Sequence, residues 1–569
     1  MVNLISLSLS LLIFQNFSFV VIGDRTAGAK NEIFERVIEE TKILAPDFIV
    51  NVGDLIEGYT KDLKTVQSEW NYILGQLKST DVQYYLTPGN HDIWDVKSAS
   101  IYVQRFGKTY YSFDYEKSHF IIIDNSRYNS VSEMPQEQLI WLEQDLTKHK
   151  KAHFTFCFMH KPFWKDVVQA DVLHRIFRQG GVDYVFSGHD HHYLNMVRDS
   201  IVYIQVGPSG SRFKVYSTEE QGAFQNYLMV KVKNDKVKIT VIKPGSMLPY
   251  DVVTADDVVT IDRIEAEAIN ISKVIIPEIQ PLKDTIALQI ANITNKSFNM
   301  TLKWNYRPTY WQIFPESVSC SLPVNSNGYY RFNCTLKKPD SIYPLPELTF
   351  SYPYDINKAH KVKKFLPIQR IATCRKVKRP PVIDGSLDDE CWGKTESIST
   401  FGSAEGNLSE LEKTIIFFGF DDKALYVAAK CFESKMNKLK MNIKGRDEAV
   451  YKDDHLNMIL QPEPNSNIYY QIFINPIGTI WDRHCSLQPG LGRGVKDASW
   501  NSKLTLKTNR EKDGWTLELS IPFSQFPNLL TEEWGFNILR YQSGLDKVGI
   551  YQVPFIHDPK TFALLKFVN

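Results

Sequence analysis

Thiols are scarce in this chain. Its 569 residues hold seven cysteines, none in a C-x-x-C pair, which excludes a zinc site built on that spacing. A surplus of either charge is also missing: 66 basic side chains stand against 65 acidic ones, for a net charge of +1. That balance gives no bulk electrostatic hold on a nucleic acid or a membrane surface. No apolar run is long enough to span a bilayer, since the longest N-terminal one covers only residues 4–14. Two familiar motifs fail on inspection. Gly23 to Lys30 (GDRTAGAK) misses the phosphate-cradling P-loop because its lysine is displaced by one and no Ser or Thr follows. Gly207-Pro208-Ser209-Gly210 misses the G-x-S-x-G nucleophile elbow because its second glycine comes too early.

What is present is ordinary globular material, 43% hydrophobic, enough for several cores, and the length predicts about three or four domains. Residues 1–16 read as an export signal: a short apolar run closed by Gln15-Asn16. No basic residue precedes the run, so a buried N-terminal strand or helix is the rival reading. Export predicts a secreted, periplasmic or cell-surface location, with no transmembrane segment beyond the signal. Cys320 and Cys334 flank the turn Asn325-Ser326-Asn327-Gly328, so a hairpin could bring them face to face.

From 17 to 250, apolar runs alternate with amphipathic stretches, the rhythm of a layered α/β domain. Phe19-Val20-Val21-Ile22 leads into Gly23-Asp24, and Phe48-Ile49-Val50 leads to Gly53-Asp54. Val82-Gln83-Tyr84-Tyr85-Leu86 precedes Gly89-Asn90-His91-Asp92. Later runs end at His160 and at Gly188-His189-Asp190-His191. Five times, a strand-like run ends at a metal-capable side chain, and strand ends are where loops of an α/β domain converge on a ligand. Asp24, Asp54, Asn90, His160, His189 and His191 combine carboxylate, amide oxygen and imidazole without thiolate. This set suits manganese, iron or zinc and is too large for one tetrahedral ion. Two ions sharing a carboxylate would use all six, and such a pair clamps the attacking and leaving oxygens of a phosphoryl displacement.

Residues 251–370 are rich in Val, Ile, Thr, Asn and Tyr and predict a small all-β, Ig-like spacer domain. From 371 to 569, short alternating strands and turns predict a β-sandwich. The fold expected for the whole is therefore multidomain: an α/β layered domain, then a small all-β domain, then a β-sandwich.

The ordered motifs Gly23-Asp24, Gly53-Asp54, Gly89-Asn90-His91-Asp92, Phe158-Met159-His160 and Gly188-His189-Asp190-His191 resemble the calcineurin-like metallophosphoesterase superfamily. The resemblance covers about 17–250 and implies a β-sandwich core flanked by helices. It also implies hydrolysis of a phosphomonoester or phosphodiester by a hydroxide bridging two divalent metals. It makes Asp54 the bridge, gives Asn90, His160 and His189 to one metal, and gives Asp24 and His191 to the other. His91 would protonate the leaving oxygen and Asp92 would orient its imidazole. One position departs from the pattern: Thr26 stands where such proteins commonly carry a histidine. Beside it, Arg25 either holds the substrate phosphate or makes a surface salt bridge.

The C-terminal stretch is similar to the family 9 carbohydrate-binding modules, through Val382-Ile383-Asp384-Gly385, Asp453-Asp454, Asn475-Pro476-Ile477-Gly478 and Gly514-Trp515. That resemblance implies a polysaccharide or cell-surface glycan as partner, with Trp481 and Trp500 as candidate stacking platforms. Asp421, Asp422, Asp453 and Asp454 could hold a structural calcium or be solvated turn acids. The alternative to an enzyme is a catalytically impaired, metal-containing scaffold attached to a glycan surface.

Overall fold

The computed structural model describes residues 16–165, 167–213, 218–277, 282–338, 341–464, 466–487, 494–526, 532–553 and 557–569. Residues 1–15 of the expected export signal lie outside the described residues. The chain forms two compact units that divide between Arg263 and Ile264.

The first unit runs β1 (Asn16–Ile22), α1 (Asn31–Leu44), β2 (Phe48–Asn51), α2 (Leu63–Lys78), β3 (Gln83–Tyr85), α3 (Val96–Phe106), β4 (Tyr111–Tyr115) and β5 (Ser118–Ile122). It continues with α4 (Gln136–Lys148), β6 (Thr155–Phe158), α5 (Val167–Gly180), β7 (Tyr184–Ser187), β8 (Leu194–Arg198) and β9 (Ile201–Gln205). Then follow β10 (Tyr227–Lys233), β11 (Lys236–Lys243), β12 (Ser246–Pro249) and α6 (Ala255–Arg263). The strands make two six-stranded sheets, ordered β12-β11-β10-β1-β2-β3 and β4-β5-β6-β7-β9-β8.

Alternation along each strand decides what lies between the sheets. Phe19, Val21, Phe48 and Val50 of one sheet meet Phe120, Ile122, Phe156 and Phe158 of the other in a single core. The residues between them, Val20, Ile22 and Ile49, turn outward against Phe34, Val37 and Ile38 of α1 and Trp70 and Ile73 of α2. Strands buried on both faces read as continuous apolar runs, which is how they stand in the sequence. Phe19 is central, with ring centroids 5.1 Å from Phe48, 5.3 Å from Phe156 and 5.5 Å from Phe120. Removing such a ring costs about 3–5 kcal/mol. β1, β2 and β3 are parallel neighbours, as are β5, β6 and β7, and the carboxyl ends of both sets carry the candidate ligands.

One further helix of the first unit, α6, lies beyond Tyr250. Thr254 and Asp257 form a reciprocal cap: Thr254 N and Oγ1 donate to Asp257 Oδ2 at 2.7 and 2.8 Å, and Asp257 N donates to Thr254 Oγ1 at 3.2 Å. This capping box starts α6.

Among the described residues, the second unit is mostly β, with short helical turns such as Ile264–Ala268. Its first part is a sandwich of two four-stranded sheets around Leu288, Leu302, Trp304 and Trp311. Here the expected cysteine hairpin is corrected. Ser317–Leu322 pairs with Phe298–Asn305 in one sheet, whereas Asn327–Leu336 pairs with Leu282–Ala291 in the other. The turn between them crosses from sheet to sheet, and Cys320 and Cys334 are buried, free thiols. In the second part, described strands from Ile368–Lys376 to Ala563–Val568 join one long sheet. It folds so that Leu456, Met458, Ile472 and Ile474 meet Ile416, Val427, Leu517 and Leu519 in one core. No described helix is long and apolar enough to cross a membrane.

Candidate metal centre

The six expected ligands come together at the carboxyl edge of the two sheets. Asp24, Asp54 and His160 are buried, and Asp54, His189 and His191 take positive φ angles of 59°, 76° and 57°. Non-glycine residues hold that strained conformation only where the surroundings impose it, and such positions cluster at functional sites. The neighbouring glycines are needed for close approach. A Cβ on Gly188 would stand 2.5 Å from Asp24 Oδ2, and one on Gly89 would collide with Asp54.

His160 Nε2 is the focus. It lies 3.0 Å from Asn90 Oδ1, 3.2 Å from Asp54 Oδ2 and 3.2 Å from His189 Nδ1. Its other nitrogen is fixed on the Val52 carbonyl at 2.8 Å. Burial would push the His160 imidazole down, but the Asp54 and Asp24 carboxylates raise it to about 9. Burial and the His160 charge together push His189 down to about 3. Burial would raise Asp54 as well, yet His160 and His91 hold it at about 2. Four lone-pair donors thus converge on a point where one proton serves several acceptors, the chemistry of a cation site, and the donor set fits a divalent metal.

The second group consists of Asp24, Asp54 and His191, whose ligand atoms lie within 4.8 Å of one another. Asp54 belongs to both groups. His191 Nε2 is 3.8 Å from Asp24 Oδ1, and its Nδ1 is held by the Arg212 carbonyl at 2.8 Å. Thr26 does not replace the absent imidazole. It is fully buried, bonds through its hydroxyl to Glu57, and accepts Ala27 N–H at 2.6 Å. This group therefore has three protein donors, and the other has four.

Two expected roles are corrected. Asp92 does not orient the His91 imidazole: its carboxylate accepts four backbone N–H groups, from Asp54, Leu55, Ile56 and Gly89, at 2.8–3.2 Å. His91 Nδ1 instead meets the Glu57 carbonyl at 2.7 Å, and its backbone N–H donates to Asp54 Oδ1. Arg25 is not turned to the ligands. It is buried, donates to Leu55 O and Asn31 Oδ1, and lies over the Tyr72 ring at 5.0 Å.

One residue escaped the sequence reading. Tyr59, exposed at 59% and with φ +49°, accepts from Asn90 Nδ2 at 3.2 Å and sets its ring edge-on to His91 at 4.8 Å. No spacing rule marks a tyrosine five residues beyond a candidate ligand aspartate.

Residues 17–193 match the family described as calcineurin-like phosphoesterase. Over these residues the chain resembles that family. The chain is 25% identical over 175 residues to a probable cyclic nucleotide phosphodiesterase of Fibrobacter succinogenes. That match takes in 28% of this chain and 63% of the relative, so less than two thirds of the relative's length is spanned. GAP50, the anchor in the inner membrane complex of Plasmodium, is a structural neighbour with 16% identity. The alignment covers 41% of this chain and 88% of that one, at a TM-score of 0.34. Residues 383–553 match the carbohydrate family 9 binding domain-like family. A family 9 carbohydrate-binding module of Caldicellulosiruptor kristjanssonii, in complex with cellotriose, aligns at 16% identity, 35% of this chain, 93% of that one and a TM-score of 0.26.

In the family 9-like region, the two candidate tryptophans part company. Phe473 and Tyr470 lie on opposite faces of one strand. Trp481 packs on Phe473 at 4.8 Å, Tyr451 at 5.2 Å and the Arg483 guanidinium at 4.7 Å. Trp500 packs on Tyr470 at 4.7 Å, against the core. They cannot form one platform. The four turn acids do not converge either. Asp421 accepts Lys423 and Ala424 N–H, Asp422 pairs with Lys376, and Asp453 and Asp454 accept Ile443 and Lys440 N–H.

Proposed function

We propose that the chain is an exported, metal-dependent phosphoesterase that hydrolyses a phosphomonoester or phosphodiester and is kept near its substrate by a glycan-binding C-terminal region. The observation that carries this is the convergence of Asp24, Asp54, Asn90, His160, His189 and His191 with His91 beside them. Asn90, His160 and His189 would hold one divalent ion, Asp24 and His191 the other, and Asp54 would join both. When bound, the ions supply Lewis acidity toward phosphoryl oxygens and a water nucleophile.

The chain's own residues do the rest. Glu57 O holds His91 Nδ1 as an N–H, so when the ring enters doubly protonated it is the Nε2 proton that passes to the leaving oxygen as the P–O bond breaks, and the ring is left as the neutral Nδ1–H imidazole. Asp92 sets the positions of both ligand loops through its four amides, which places Asp54 against His91. Arg25 braces the loop after β2. In the C-terminal region, Trp481 with the exposed Tyr451 is the better-supported sugar contact, and stacking there would raise effective substrate concentration without altering the centre.

Turnover of p-nitrophenyl phosphate and bis-p-nitrophenyl phosphate with manganese, zinc and iron tests this function. His91→Ala should lower kcat by about 10²–10⁴-fold, the ordinary contribution of a general acid. Absence of turnover with every metal would favour the scaffold reading, which the three-donor group around Asp24 supports.

A further inference from the structure

Near the start of β5, at the other end of that strand from the candidate centre, four side chains with ligating atoms meet. Asp114 and His119 stand directly opposite each other across the β4–β5 hairpin. Asp145 and His149 are four residues apart at the end of α4, and so share one face of it. A cross-strand pair thus confronts a helical i, i+4 pair.

The hydrogen bonds sort these groups into two kinds. His119 Nε2 meets Asp145 Oδ2 at 2.8 Å, and His149 Nδ1 meets the Asp145 carbonyl at 2.9 Å. Asp145 therefore anchors one nitrogen of each imidazole. The remaining nitrogens face the same carboxylate: His119 Nδ1 is 2.7 Å from Asp114 Oδ1 and His149 Nε2 is 4.0 Å from Asp114 Oδ2. The two rings stack with centroids 3.9 Å apart and planes 19° from parallel. The ligating atoms of Asp114, His119 and His149 all lie within 4.8 Å of one another. Histidines that bind metals almost always donate their second nitrogen to a carboxylate or backbone carbonyl, which fixes tautomer and ring direction. Here both histidines have that partner, and one residue provides it.

We propose that Asp114, His119 and His149 form a separate site for a divalent transition-metal ion, with Asp145 positioning both imidazoles. Two imidazoles and one carboxylate suit zinc, cobalt or ferrous iron and are poor for magnesium or calcium. His119 is buried while Asp114 is 61% exposed, so two fixed ligands and one at the surface leave a coordination position open to solvent. Metal there ties the β4–β5 hairpin to the end of α4. The competing occupant is a proton shared by His119 and Asp114.

The test is a titration of the chelator-stripped full chain with Co²⁺ alone, read by visible absorption and bound stoichiometry. Wild type should take up one equivalent more than His149→Ala or Asp114→Asn, and Asp145→Asn should bind that equivalent about 10–100-fold more weakly. Phosphoester turnover in Asp114→Asn should match wild type, because the residue lies outside the candidate centre and its exposed side chain can change without loss of core packing. Equal stoichiometry and equal spectra in wild type and a folded Asp114→Asn would overturn the proposal and leave the shared proton as the explanation.

Discussion

Asn90 Nδ2 donates to Tyr59 Oη at 3.2 Å while Asn90 Oδ1 points to His160 Nε2 at 3.0 Å, so one phenol decides which end of the amide faces the ligands. Without that acceptor the amide can flip and present N–H₂ instead of oxygen. Tyr59→Phe should weaken manganese binding about 10–100-fold while leaving stability within about 0.5 kcal/mol, since the side chain is exposed. Metal titration alongside a urea melt checks both halves.

Asp92 gathers four amides and does not touch the His91 ring. Asp92→Ala strands those donors and should cost about 2–5 kcal/mol in urea unfolding. A residue that merely oriented His91 would leave stability unchanged, so a wild-type unfolding midpoint would refute this role.

The two groups of ligands are unequal. A manganese titration should resolve two affinities, the tighter one abolished by Asn90→Ala and the weaker one by His191→Ala. The reverse order would overturn the assignment. Thr26→His should strengthen the weaker affinity if its imidazole displaces the Thr26–Glu57 contact.

In the second unit, burial would push the Glu265 carboxyl up, but His360 at 2.7 Å and Lys364 hold it down at about 2. A carboxyl below its ordinary value of about 4.3 stabilises the fold above that pH, and the contribution is lost as pH falls toward 2. The melting-temperature gap between wild type and Glu265→Gln should be full near pH 5 and close between about pH 4 and 2. A gap that stays constant over that range would refute the linkage.

Trp481→Ala should reduce retention of the full chain on polysaccharide with little loss of stability. Trp500→Ala should cost about 2–3 kcal/mol, because its ring closes the core over Tyr470. Equal retention by wild type and Trp481→Ala would remove Trp481 as a sugar contact.

Short-range order along the chain was enough for part of this reading. Each candidate ligand follows an apolar run, and period-two burial makes those runs strands, so the layered domain and the candidate set Asp24, Asp54, Asn90, His160, His189 and His191 were legible together. The two β regions were legible in the same way, from alternation alone. Partner choice was not. Whether Asp92 meets an imidazole or four amides, and whether Arg25 faces a substrate or Tyr72, depends on loops more than thirty residues apart in sequence. The same holds for the cysteines around the turn at Asn325, which only sheet membership could separate, and for Trp481 and Trp500, which a strand's two faces divide. Periodicity tells a residue which way to face along its own element. Which side chain waits there is decided by elements that the chain brings back from far away.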